Sequence, residues 1–150
     1  MQVLETTITP QSDEFRANVE AMEAHISTFR DVEQKVLDLA ESAREKFTRR
    51  GKLLPRDRIN RLLDRGSEFL ELCSLAGYKM HDDKDGSMAG GGIIAGIGRV
   101  AGVRCLVVAS NSAIKGGTIT PAGLDKTLRL QQIAMENKLP LVNLVESAGA

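Results

Sequence analysis

Residues 12–50 contain neither glycine nor proline. Across them apolar side chains recur every three or four residues, at Phe15, Val19, Met22, Ile26, Phe29, Val32, Val36, Leu39, Ala43 and Phe47. That spacing puts the whole series on one side of an α-helix. Ser12, followed by Asp13 and Glu14, supplies an N-cap and negative charge for the first turn, and Gly51 supplies a stop. At 1.5 Å per residue the predicted helix is on the order of 50 Å long, more than a domain of this size is wide. Either it breaks near Ser27-Thr28, or part of its stripe meets something outside its own domain. A partner subunit is the expected cover.

The remaining composition excludes several classes. A chain of 150 residues holds one core. Twenty basic side chains balance twenty acidic ones, so no global charge marks a nucleic-acid or membrane-surface protein. Apolar content of 42% excludes wholesale disorder, and no apolar run reaches membrane-spanning length. Met1-Gln2-Val3-Leu4-Glu5 lacks a secretory start, and the acid-rich first helix argues against a transit peptide. Cys73 and Cys105 have no metal-ligand spacing and read as reduced thiols. A cytoplasmic protein that binds no metal is expected.

Beyond the arm the texture changes. Pro55 opens a short helix whose buried face is Ile59, Leu62 and Leu63, and Asp64-Arg65-Gly66-Ser67 makes a turn. Phe69-Leu70-Glu71-Leu72 reads as a short strand, and the polar run from His81 to Ser87 as a surface loop. Ile93 to Val100 and Val103 to Val108 are two strands joined at Ala101-Gly102 by a tight hairpin. A loop containing Lys115-Gly116-Gly117 follows. Leu124, Leu128, Ile133 and Met135 then mark an amphipathic helix with Gln131 and Gln132 outward. Leu141-Val142-Asn143-Leu144-Val145 is a continuous apolar strand, predicted to be buried on both faces with Asn143 hydrogen-bonded inside. The order β-β-α-β sets a helical arm before an α/β core. The domain division expected is residues 1–65 for the arm and a basic elbow, and 66–150 for the core.

The elbow is the one charged cluster. Over residues 44–65 nine basic side chains (Arg44, Lys46, Arg49, Arg50, Lys52, Arg56, Arg58, Arg61, Arg65) face three acids (Glu45, Asp57, Asp64). Phosphates of a ligand, a lattice of ion pairs, or nucleic acid would each use such a cluster. The neutral total and the near-absence of aromatics weigh against nucleic acid.

Three ordered motifs carry a resemblance. Leu54-Pro55-Arg56-Asp57-Arg58-Ile59, with Leu62-Leu63-Asp64, Gly66-Ser67, Phe69 and Glu71, is similar to the "ARERL..LLD.GSF.E" signature of the carboxyltransferase β subunits of biotin-dependent acyl-CoA carboxylases. The run from Gly91 to Gly102 resembles that family's first core hairpin. Lys115-Gly116-Gly117, Pro140 and Glu146-Ser147-Ala148-Gly149-Ala150 resemble its glycine loop and "DSGGA" turn. Within the family, the glycine loop and Ser110-Asn111-Ser112-Ala113-Ile114-Lys115-Gly116-Gly117 look closest to the geranyl-CoA and 3-methylcrotonyl-CoA carboxylases, with propionyl-CoA carboxylases more distant.

The resemblance implies a crotonase-type ββα spiral, of which this chain is the N-terminal portion behind its helical arm. It implies carboxyl transfer from carboxybiotin to an acyl-CoA through an enolate. Biotin would arrive on a biotin-carrying α subunit, and the β subunit would form a homo-oligomer. Such chemistry needs backbone oxyanion donors and no side-chain base. That agrees with a sequence lacking a Ser/His/Asp set, in which His25 and His81 stand alone. By position in the motifs, Ala148 and Gly149 would be the catalytic N–H donors. Lys115, Gly116, Gly117, Arg56 and Arg58 would bind the acyl-CoA. Half a site also fits a second reading, an acyl-CoA-binding or assembly module without catalysis.

Overall fold

A computed structural model describes residues 6–80 and 83–146. The chain divides into two compact units, one ending at Gln34 and the other starting at Lys35. Helix α1, Asp13–Ser42, begins as its sequence dictates: the Ser12 hydroxyl accepts from the Phe15 N–H at 3.2 Å and donates to the Thr9 carbonyl at 2.8 Å. None of its residues is buried, and Val19, Met22, Ile26 and Phe29 stand exposed.

The helix neither runs on to residue 50 nor breaks at Ser27-Thr28. The Thr28 hydroxyl donates back to the Ala24 carbonyl and the helix continues. The break comes at Ala43, between α1 and α2, Arg44–Arg49. The kink turns Phe47 into the core, and Arg44 of α2 bonds Glu41 of α1 and, at 2.7 Å, Asp57 of the next helix. Gly51, at φ +65°, ends α2 as expected: its N–H and that of Lys52 donate to the Thr48 and Phe47 carbonyls. Pro55 is the first residue of α3, Pro55–Leu62, which buries Pro55 and Ile59.

The sheet contains β1 (Leu70–Glu71), β2 (Ile93–Val100), β3 (Val103–Ser110) and β4 (Leu141–Leu144), in that spatial order. The β1/β2 and β2/β3 pairs are antiparallel, and β4 joins β3 in parallel after crossing over through α4, Pro121–Glu136. Alternation along β3 feeds both faces. Cys105, Val107 and Ala109 pack with Ile59, Leu62 and Leu63 under α3; Leu106 and Val108 pack with Leu130, Ile133 and Ala134 under α4. On the α3 face β2 is narrow, because a Cβ at Gly98 would lie 2.5 Å from the Leu63 side chain.

The hairpin closes at Val100 and Val103 through Ala101 (φ +49°) and Gly102 (φ +79°). Asp64 secures it: its carboxylate accepts from the Ala101 N–H at 2.8 Å and the Gly102 N–H at 2.7 Å. Asp64→Ala is expected to lower stability by about 2 kcal/mol in a denaturant titration, two charge-assisted bonds at a partly exposed site. An unchanged midpoint would show that the turn needs no anchor.

Three expectations need correction. The buried face of α4 is Gly123, Lys126, Leu130 and Ala134, while Leu124, Leu128 and Met135 are 52%, 56% and 77% exposed. The buried face meets the turn before β2 at Gly123, where there is no room for a side chain. Strand β4 is half-buried on one face and exposed on the other. Val142 and Leu144 pack on the α3 side, whereas Leu141 and Asn143 are exposed, so Asn143 is no interior polar residue. Finally, Asp83 is buried in what reads as a surface loop, because its carboxylate accepts from the backbone N–H groups of Lys79 and Met88; His81 and Asp82 lie outside the described residues.

Candidate functional site

The glycine loop reaches the end of β4. Lys115–Gly117 forms a 3-10 turn with Gly116 at φ +67°. Gly117, at φ +80°, is buried, and a Cβ there would lie 2.4 Å from the carbonyl oxygen of Glu146. No side chain fits, so glycine is required for both its conformation and its closeness to Glu146.

Glu146 is also where the basic elbow ends. Lys52 Nζ lies 2.7 Å from one carboxylate oxygen and Arg58 Nη1 3.4 Å from the other. The Lys52 hydrogen bond, with the Lys52 and Arg58 charges behind it, holds the Glu146 carboxyl below the usual carboxylate range. Beside this ion triad opens a cleft of about 330 Å³. Lys46, Phe47 and Arg50 of the α2 segment, Ser112, Ala113 and Gly116 of the glycine loop, and Lys52 and Glu146 line it. The cleft thus gathers Lys46, Arg50 and Lys52 beside the glycine loop, an arrangement suited to a phosphate-bearing ligand.

The other expected site residues are placed differently. Arg56 forms a two-pronged ion pair with Glu71, at 2.7 and 2.9 Å, and does not line the cleft. Arg58 meets Glu146 rather than open solvent. Lys115 contributes its backbone to the 3-10 turn. Ala148 and Gly149 lie outside the described residues. The structure therefore brings Arg58, Gly116 and Gly117 together and leaves Arg56 elsewhere. Sequence reasoning missed Lys46, Arg50, Lys52 and Glu146, though the first three stood in the basic cluster and the fourth opens the last motif.

Much of the cluster is an ion-pair lattice. Arg44 pairs with Glu41 and Asp57, Arg49 with Glu45, Arg56 with Glu71, and Lys52 and Arg58 with Glu146. Among the described residues no group of three or more histidine, cysteine or acidic side chains is placed to hold a metal ion. No helix among them is long and apolar enough to cross a membrane. Cys73 and Cys105 are free thiols, the first exposed and the second buried.

Comparison with known proteins gives this geometry a context. The profile of the carboxyl transferase domain matches residues 46–150. The probable methylcrotonoyl-CoA carboxylase beta chain, mitochondrial, of Drosophila melanogaster is 44% identical over 149 residues, 99% of this chain and 25% of its own. The biotin-dependent 3-methylcrotonyl-coenzyme A carboxylase beta1 subunit of Mycobacterium tuberculosis is 51% identical over 110 residues, 73% of this chain and 20% of its own. The crystal structure of the P. aeruginosa geranyl-CoA carboxylase beta subunit superposes with a TM-score of 0.87 at 62% identity, covering 99% of this chain and 28% of that one. The chain thus spans between a fifth and just over a quarter of these relatives. The β2-β3-α4-β4 order is the crotonase-type ββα unit, as expected.

Proposed function

Because the chain belongs to the carboxyl transferase family, we propose that it is the front part of a carboxyltransferase β subunit acting on geranyl-CoA or 3-methylcrotonyl-CoA. The observation that carries this reading is the cleft that Lys46, Arg50 and Lys52 line together with Ser112, Ala113 and Gly116. Identity of 62% to a geranyl-CoA carboxylase subunit along nearly the whole chain supports the substrate class.

In this reading Lys46 and Arg50 hold the CoA phosphates, and Lys115, Gly116 and Gly117 wall the pantetheine and thioester. Arg56 and Arg58 support the elbow through Glu71 and Glu146. The N–H groups of Ala148 and Gly149 stabilise an oxyanion. Carboxybiotin, when bound, supplies CO₂ and then a basic ureido nitrogen. The chain's own part would be to hold, on those backbone N–H groups, the negative charge that develops on an oxygen as the substrate loses its proton. The described cleft fits the CoA end of this assembly, since its cations suit phosphate; the biotin ring belongs to a second subunit's side of the reaction. Residues 1–65 serve as arm and elbow, and 66–150 as the first part of the domain. The partners are a biotin-carrying α subunit and further copies of the β subunit. The pairing of Arg44, Arg49, Lys52, Arg56 and Arg58 with acids weighs against nucleic acid. The free thiols suit the cytoplasm, although the Drosophila relative is named mitochondrial.

The test is transfer of labelled carboxyl from carboxybiotin by a full-length β subunit carrying this sequence. Geranyl-CoA or 3-methylcrotonyl-CoA is expected to exceed propionyl-CoA by at least ~10-fold in kcat/KM, about 1.4 kcal/mol of transition-state discrimination. Gly149→Pro removes one N–H and is expected to lower kcat by about 100-fold or more with assembly intact. Preference for propionyl-CoA would refute the substrate class, and near-normal rates in the proline variant would refute the oxyanion role.

A further inference from the structure

We propose that Glu146, gripped by Lys52 and Arg58, is a positioning residue that fixes the glycine wall of the cleft; this rests on the acyl-CoA reading of that cleft. Three segments far apart in sequence meet at this one residue. Lys52 lies 94 positions and Arg58 88 positions before it, and they take different oxygens of its carboxylate. Its own carbonyl oxygen lies against Gly117, where a Cβ would come within 2.4 Å of it, so the glycine turn and the end of β4 are packed backbone on backbone. The carboxylate end is thus tied to the elbow, and the carbonyl end to the glycine turn.

The chemistry of the cleft sets the role. A carboxylate beside a phosphate site repels the ligand, so Glu146 is misplaced as a ligand contact. With two cations on it the repulsion is cancelled, and what remains is mechanical. The side chains of Arg58 and Glu146 are 24% and 26% exposed, so their pairing is less screened than that of a surface pair. Its partners also hold the Glu146 carboxyl below the usual carboxylate range, the Lys52 hydrogen bond foremost. Glu146 leads directly into Ser147-Ala148-Gly149 in sequence. A shift of the wall would therefore be felt at the reacting centre, where ~1 Å can cost about 100-fold in rate.

The test uses the full-length subunit with its biotin-carrying partner, comparing wild type with Lys52→Met, Glu146→Gln and Lys52→Arg. In Lys52→Met, kcat is expected to fall by about 10- to 100-fold while KM for the acyl-CoA stays within about twofold, and Lys52→Arg should recover most of the rate. Hydrogen exchange over residues 112–118 should quicken at least ~5-fold in Lys52→Met and Glu146→Gln and return to normal in Lys52→Arg. A raised KM at unchanged kcat would make Lys52 a phosphate contact and overturn the proposal, as would unchanged exchange. If wild type turns over no acyl-CoA, the acyl-CoA reading fails, while the exchange experiment still reads the grip. If wild type is active and Lys52→Met equals it, the grip alone fails.

Discussion

Gly123→Ala is expected to destabilise a full-length subunit carrying this sequence by about 2 kcal/mol or more, against the direction that helix propensity predicts. Gly123 lies in the first turn of α4 with ordinary helical backbone, where alanine is favoured by about 1 kcal/mol. Packing decides the sign. A Cβ at position 123 would lie 2.3 Å from the carbonyl oxygen of Gly91, and one at Gly91 would lie 2.8 Å from the Gly123 N. Both obstacles are backbone, so α4 and the turn before β2 must separate, at a cost of about 3 kcal/mol or more for overpacking. The denaturant midpoint should drop; a rise would show that the contact can open freely.

The second large effect concerns pH. Lys126 is buried in the same face of α4, and its ammonium donates to the carbonyls of Ile93 at 2.7 Å and Gly90 at 3.2 Å. Burial pushes its pKa down to about 8, with Glu71 and Cys73 opposing the shift. Between pH 8 and the ordinary lysine value of 10.5 the unfolded chain holds a proton that the native state has lost. Stability due to this group therefore rises with pH across that window, by on the order of 3 kcal/mol in total. Below pH 8 both states are charged and the native state bears the whole desolvation cost. Lys126→Met removes the titration and takes one donor from each of the two carbonyls, that of Gly90 still accepting from the Ile93 N–H at 3.2 Å. The gap between the denaturant midpoints of wild type and variant should widen in favour of wild type from pH 7 to pH 10. A gap independent of pH would mean that water reaches the amine.

These two sites mark where the sequence stopped being readable. The hairpin at Ala101-Gly102, the stop at Gly51 and the start at Pro55 are local events, fixed by φ preferences and capping within a few residues, and all are where the sequence puts them. The face of α4 is not local. Counting apolar side chains selects Leu124, Leu128 and Met135, but the buried face is Gly123, Lys126, Leu130 and Ala134, set by the close approach of Gly123 to the glycine turn and by the carbonyls that Lys126 reaches. The break at Ala43 was equally hidden, since the apolar spacing continues through it; burial of Phe47 and the reach of Arg44 to Asp57 place it there. At the cleft, the motifs pointed to the glycine loop and the arginines. The meeting of Lys52, Arg58 and Glu146 joins residues about ninety positions apart, which no local pattern records.

Thr120 carries one more consequence. Its hydroxyl accepts the Gly123 N–H at 3.0 Å to cap α4 and donates to the Gly91 carbonyl at 3.2 Å, so one oxygen serves a helix start and a remote turn at once. Aspartate could cap but has no proton to give, and valine matches the shape with neither function. Of the twenty amino acids, serine alone repeats both bonds with the same short reach. The chemical alphabet at position 120 is thus narrowed to two letters, by a residue that touches no ligand in the proposed reaction.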